Sequence, residues 1–250
     1  MADRYFIERL QDVDSTNRYI RDEASRLWSA SPLSEMLVVT CERQTAGRGQ
    51  RGNVWHSGDG VNLLFSIMVR PTFLAATRQF LLSEAVALAL HRALLHYGID
   101  ATLKWPNDIY VGSCKLAGVL VELDYSGSSV EQAIIGIGLN VNQTAFPTMD
   151  KQPVSMKNLL HRTLDREEVL ARLLHSFGHY YNILSAGEYE ALHTAYKSAL
   201  LGFGERRLYA DADGTFEGVI EEVEPTGYLL VRRDDGSLAR YAFKEVQQFV

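Results

Sequence analysis

The chain has 250 residues, with 25 Lys and Arg against 31 Asp and Glu and a formal net charge of −6. At 46% hydrophobic, 22% charged and 10% aromatic it has an ordinary globular composition, which excludes disordered and collagen-like chains. The acidic balance excludes a general nucleic-acid surface, and Cys41 and Cys114 form neither a disulfide framework nor a Cys-x-x-Cys metal site. The start, MADRYFIERL, lacks an apolar signal core, and the apolar stretch at 85–90 is far short of the ~20 residues that span a bilayer. A cytoplasmic protein that crosses no membrane is expected.

In chain order, residues 4–13 read as a strand, and Asp14-Ser15-Thr16-Asn17 supplies capping side chains for a helix to about residue 28. A strand at 37–43 leads into Gln44-Thr45-Ala46-Gly47-Arg48-Gly49-Gln50-Arg51-Gly52, too glycine-rich and charged to continue it. A strand at 62–70 is stopped by Pro71, and helical spacing runs from 75 to 97, with Gly98 as a left-handed cap. Strands follow at 102–105, 108–111, 115–123 and 132–141, the second and third joined by a Gly112-Ser113 turn. Helices fit 166–184 and 189–200. Beyond Gly202, four short strands (206–210, 216–223, 228–233 and 238–243) are separated by turn residues. Hairpin-joined strands with interspersed helices predict an α+β fold: a mixed, largely antiparallel sheet with helices packed on one side. Its domain spans 1–201, and 202–250, 49 residues with short strands, is the size of a small SH3-like β-barrel.

Gly47-x-Gly49-x-x-Gly52 matches the dinucleotide fingerprint, but residues 53–60 have no helical periodicity to place a helix N-terminus on a pyrophosphate. No Gly-x-x-x-x-Gly-Lys-Ser/Thr loop is present either. The segment is then either an exposed basic loop or an anion-binding one, whose backbone N–H groups and Arg48 and Arg51 converge on a ligand. Trp55 favours the second, because a loop tryptophan needs something to pack on. In Lys104-Trp105-Pro106-Asn107-Asp108, Pro106 favours an extended Trp105 and displays the polar groups at a strand corner. Lys115 opens an apolar strand, where a lysine either snorkels to water or faces a ligand. Gly118, Gly136 and Gly138 lie inside strands, as bulges or as points of close approach. His175 and His179 have i, i+4 spacing but lack the His-Glu-x-x-His context, so a partly buried helix accounts for them better than a metal. Asn142-Gln143-Thr144 fits a glycosylation sequon, coincidental without a secretory signal.

Taken together, these segments resemble the biotin protein ligases, in the family's order from residue 15 to 142. The matches are Ser15-Thr16-Asn17, Gln44 through Gly52 with Trp55, Lys104–Asp108, Lys115-Leu116-Ala117-Gly118-Val119-Leu120-Val121-Glu122, and Gly136-Ile137-Gly138-Leu139-Asn140. The resemblance implies the biotin–lipoate ligase fold, related to class II aminoacyl-tRNA synthetases, with a C-terminal SH3-like barrel. It implies ATP-dependent biotinylation of a lysine on a biotin carboxyl carrier domain through a biotinyl-adenylate, with Mg²⁺ accompanying ATP. Lys115, Arg48 and Asp108 would be catalytic. Ser15, Thr16, Asn17, Gln44, Gly47, Arg48, Gly49, Gln50, Lys115, Gly118, Gly136 and Gly138 would bind biotin. Arg48, Arg51, Trp55, Lys104, Asn107, Lys115 and Asn140 would bind ATP, with Mg²⁺ near Asn140 and no protein-only metal site.

Many relatives have a second arginine where this chain has Gln50, and an amide cannot replace a charge-assisted fork. With 14 residues before Ser15, the winged helix-turn-helix that makes some relatives repressors is not expected, nor is nucleic-acid binding. A monomer or weak homodimer is expected. The rivals are a lipoate–protein ligase, disfavoured by the Lys-Trp-Pro-Asn-Asp and Gly-Arg-Gly segments, and a non-catalytic biotin-binding regulator, disfavoured by Lys115 and the basic loop.

Overall fold

A computed structural model describes residues 5–50, 53–147 and 152–249. Strand β1 (Tyr5–Val13) is joined to β2 (Met36–Gln44) through helices α1 (Thr16–Asp22) and α2 (Ala24–Ala30). The single helix expected here is broken at Glu23, and Ser15 sits at the N-cap position without a side-chain capping bond. Strand β3 (Leu63–Val69) precedes a 3₁₀ turn at Ala76–Arg78 and helix α3 (Phe80–His96), after which Gly98 takes φ +77°. Strands β4 (Thr102–Lys104), β5 (Asp108–Val111), β6 (Cys114–Ser126) and β7 (Ser129–Leu139) complete a seven-stranded sheet, in the order β1-β2-β3-β7-β6-β5-β4. Only β1 and β2 run parallel, because a helical crossover joins them; every other pair is antiparallel. Helix α4 (Met156–Leu160), too short for periodicity to reveal, starts at a Ser155–Asn158 capping box. Helices α5 (Arg166–Ser185) and α6 (Tyr189–Ala199) match their expected spans.

Helices pack on both faces of the sheet, not on one. Period-two alternation in β2 sends Met36 and Val38 into the large core under α3, α5 and α6, and Leu37 and Val39 into a second cluster with Ile20 and Leu27 of α1 and α2. The α1–α2 crossover covers only part of this second face, and the candidate site opens on the rest. In the large core, burial pushes the Tyr196 hydroxyl far up; in β2 it pushes the Cys41 thiol up to about 12. Among the described residues no helix is long and apolar enough to cross a membrane. His175 and His179 are exposed on α5, and Asn142 is occupied by bonds to the backbone of Leu164.

Strands β8 (Arg206–Asp211), β9 (Gly214–Val223), β10 (Leu229–Arg233), β11 (Leu238–Tyr241) and β12 (Gln247–Gln248) form an antiparallel sheet in the order β11-β10-β9-β8-β12. The expected closed barrel is therefore an open sheet: two-residue β12 pairs with β8, and no ladder joins it to β11 among the described residues. One hydrophobic core continues from the large sheet into this unit through Tyr209, Ile220, Val223 and Val231. Trp105 Nε1 donates to Gly227 O at 3.1 Å, and the Trp105 ring meets Phe243 edge-on.

A partly buried ionic relay crosses the same junction. His193 of α6 contacts Glu84 of α3 through Nδ1 at 2.9 Å and Glu222 of β9 through Nε2 at 2.7 Å; Lys197 also pairs with Glu222. Glu84 is fully buried. The bond to Glu84 raises the His193 pKa above the usual 6.5, outweighing desolvation. Because the folded state holds this proton more tightly than the unfolded chain, its contribution is complete below about pH 6.5 and is lost as pH rises through the folded pKa. The denaturation midpoint is expected to fall above pH 6.5. His193→Gln should flatten that slope and cost about 3 kcal/mol below it, measured by urea unfolding at several pH values.

Candidate active site

The α1 face of the sheet carries a cavity of about 670 Å³ between the α1 N-terminus, residues 48–50 and 53–56, β6–β7 and the C-terminal unit. Its floor is bare strand. Gly118 and Gly138 are cross-strand partners, and Gly136 sits opposite Leu120 in the same ladder. A Cβ on Gly138 would lie 2.3 Å from Trp55 Cε2, one on Gly136 2.3 Å from Asn17 Oδ1, and one on Gly118 3.0 Å from Trp55 Cζ3. These glycines are therefore points of close approach, filled by the protein's own Trp55 and Asn17.

The loop above this floor is a small hairpin. Arg48 bridges to Val54, Trp55 N–H donates to Gly47 O at 3.0 Å, and Gly49 N–H donates to Asn53 O at 2.7 Å. Among the described residues, 53–60 form no helix after this loop. Gly47 shapes the hairpin from outside the cavity lining, since a Cβ there would meet Trp55 O at 2.6 Å. Arg51 and Gly52 lie outside the described residues.

At one wall, Lys115 Nζ pairs with Asp108 Oδ1 at 2.6 Å and lies 5.5 Å from the centroid of the Trp55 ring. Lys115 is about a quarter exposed and Asp108 is buried, so this charge pair faces the cavity from a largely desolvated wall. At the opposite end, Thr16 N–H and hydroxyl donate to Gln44 Oε1 at 2.8 and 3.2 Å. Ser66 Oγ lies 2.7 Å from Thr16 Oγ1 and 2.6 Å from Asn17 Oδ1. Asn17 Nδ2 donates to Glu122 Oε2 at 2.9 Å, so both ends of that amide are engaged by protein.

Of the expected site residues, Ser15, Thr16, Asn17, Gln44, Arg48, Gly49, Gln50, Trp55, Lys104, Asn107, Asp108, Lys115, Gly118, Gly136, Gly138 and Asn140 all line this one cavity. Several have internal work. Lys104 Nζ donates to Gln248 O at 3.0 Å above the Tyr110 ring, Asn107 clamps Val119 O, and Asn140 Nδ2 donates to Val154 O. Sequence reading missed Ser66, beneath the cavity, and the linings Phe146, Pro153, Lys244 and Gln248. None of these carries a local signal, since only folding brings them to the wall. The polar end, the apolar middle and the cationic wall suit a small amphiphilic acid and a phosphate ester meeting beside Lys115.

The biotin/lipoate A/B protein ligase family model matches residues 10–140. Over 230 residues the chain is 32% identical to the bifunctional ligase/repressor BirA of Bacillus spizizenii, covering 90% of this chain and 69% of that protein. Over 236 residues it is 32% identical to the biotin–[acetyl-CoA-carboxylase] ligase of Paracoccus denitrificans, covering 91% of this chain and 94% of that one. The fold is similar to that of Aquifex aeolicus biotin protein ligase in complex with biotin and ATP, with a TM-score of 0.79, 26% identity and 97% of each chain covered. The chain belongs to the biotin/lipoate A/B protein ligase family.

Gly138→Val should expel the Trp55 indole from the floor. The expected result is a red-shifted tryptophan emission and loss of ligand protection against thermal unfolding, with the unliganded fold retained.

Proposed function

We propose that this protein is an ATP-dependent biotin–protein ligase that attaches biotin to a lysine of a carboxyl carrier domain through biotinyl-adenylate. The observation carrying this reading is the Lys115–Asp108 pair at the wall of a glycine-floored cavity, in a chain similar to biotin protein ligases over most of its length.

The physical difficulty is to bring a carboxylate onto the α-phosphate of ATP, two anions that repel. Lys115 would move from Asp108 to lie between them and stabilise the charge that develops as the carboxylate oxygen attacks phosphorus and pyrophosphate leaves. Gln44, with Ser15 and Thr16, would hydrogen-bond the polar end of biotin, Asn17 holding their geometry from beneath. Arg48 and the hairpin N–H groups would close over the adenylate and exclude water. Trp55, Lys104 and Asn107 would bound the nucleotide, with Arg51 a further candidate outside the described residues.

Mg²⁺ belongs to this reading as a partner of the triphosphate, whose charge it would neutralise. Asn140 fits that role: with Nδ2 committed to Val154 O, its amide oxygen is the group a phosphate-bound ion would use. In the second step the acceptor lysine attacks the acyl carbon, AMP leaves, and Asp108 takes the amine proton.

We take residues 1–201 as the catalytic domain and 202–250 as an SH3-like unit, the latter closing one cavity wall through Lys244 and Gln248. The free thiols Cys41 and Cys114 suit a reducing compartment such as the cytoplasm, where a monomer or weak dimer would meet its carrier.

The deciding experiment is a biotin- and ATP-dependent mass increase on a carboxyl carrier domain, alongside pyrophosphate exchange with biotin and with lipoate. Biotin should support exchange and lipoate should not; the reverse overturns the reading. Lys115→Ala should abolish biotin-dependent exchange, and normal exchange in that variant would remove Lys115 from the chemistry.

A further inference from the structure

Glu122 is the last residue of the Lys115–Glu122 segment, yet it does not line the cavity. It is half-buried on β6, opposite Ile134 of β7, with its carboxylate divided between two tasks. Oε2 accepts from Asn17 Nδ2 at 2.9 Å, and Oε1 lies 3.4 Å from Arg48 Nη2. Arg21 approaches the same carboxylate at 3.9 Å but is committed to Asp124 at 2.9 Å. Asn17 is only 3% exposed and is held from its other end by Ser66, so Glu122 is an anchored acceptor, whereas Arg48 is a half-exposed cation on a hairpin.

We infer that Glu122 is a positioning residue that latches the described arms of the hairpin, 47–50 and 53–55, over the cavity by holding Arg48. The hairpin then has two fastenings on the sheet. Trp55 is seated on the Gly118–Gly138 pair by packing, and Arg48 is tied to Glu122 by charge. Both fastenings stand on the strand pair that forms the floor, so the lid is referenced to the surface on which the ligand lies. The chain that reaches Glu122 begins at Gln44 and Thr16, at the polar end of the cavity, and passes through Ser66 and Asn17. The consequence falls on retention of the intermediate, not on its formation, because Glu122 touches neither the cavity nor the Lys115–Asp108 pair. Gln50, standing where many relatives carry arginine, leaves Arg48 as the cation this latch holds among the described loop residues.

This inference rests on the ligase reading above. Glu122→Gln keeps an acceptor for Asn17 but removes the charge. Enzyme loaded with radiolabelled biotin and ATP is chased with unlabelled biotin, and loss of labelled adenylate is timed beside biotin-dependent pyrophosphate exchange. The expected result is adenylate loss about five times faster in Glu122→Gln, the size an exposed ion pair supports, with exchange within about twofold of the unmutated enzyme. Arg48→Ala should lose adenylate at least as fast, and the double variant no faster than Arg48→Ala alone, as two halves of one contact require. Raising salt should speed loss from the unmutated enzyme and leave Glu122→Gln unchanged, a response that a purely structural role would not produce. Unaltered retention in Glu122→Gln, a multiplied effect in the double variant, or a matching fall in exchange would each overturn the latch. Absence of exchange in the unmutated enzyme would instead overturn the ligase reading.

Discussion

The arrangement depends on a stretch of sheet stripped of side chains. Gly118 and Gly138 face each other across β6 and β7, with Gly136 one same-face position along. Because directly opposed residues share a face, three missing Cβ atoms open one continuous patch and not three scattered gaps. A bare patch on a central strand pair would weaken a sheet if nothing covered it. Here Trp55 and Asn17 cover part of it at distances no Cβ would tolerate, and the remaining space is the cavity.

That constraint organises both faces of the molecule. The odd-numbered residues of β7, Ile135 and Ile137, join the large core under α3, α5 and α6, so the opposite face is left to α1, α2 and the site. The β1–β2 crossover brings α1 over β2, β3 and β7, and its first turn delivers Thr16 and Asn17 to the rim of the patch. Buried hydroxyl and amide groups there are tolerable because each is satisfied by Gln44, Ser66 or Glu122. The C-terminal unit is fastened by Trp105, Lys104 and the Glu84–His193–Glu222 relay, and it supplies the remaining wall. The site is thus a property of the joint between the two sheets as much as of the larger one.

The charge pattern obeys the same logic. An acidic chain concentrates a few cations around one cavity, and each is paired with a carboxylate or a carbonyl. Lys115 rests on Asp108, Arg48 on Glu122 and Lys104 on Gln248 O. Charge-assisted pairing keeps these cations ordered at the cavity wall.

The sequence alone determined the local chemistry: a glycine loop bearing arginine and tryptophan, a proline-pinned Lys-Trp-Pro-Asn-Asp corner, and strands interrupted by glycine. Such features are legible because backbone freedom, proline geometry and charge act within a few residues of themselves. Most strands and the long helices were legible for the same reason, as periodic burial is written along the chain. Tertiary structure alone decided that the glycines are floored against Trp55 and Asn17, that α1 and α2 take the second face, and that the C-terminal sheet stays open. It also decided which partners Ser66, Glu122 and the members of the Glu84–His193–Glu222 relay meet. Each of these depends on partners tens to more than a hundred residues away, and a contact of that range leaves no periodicity in either segment for sequence to display.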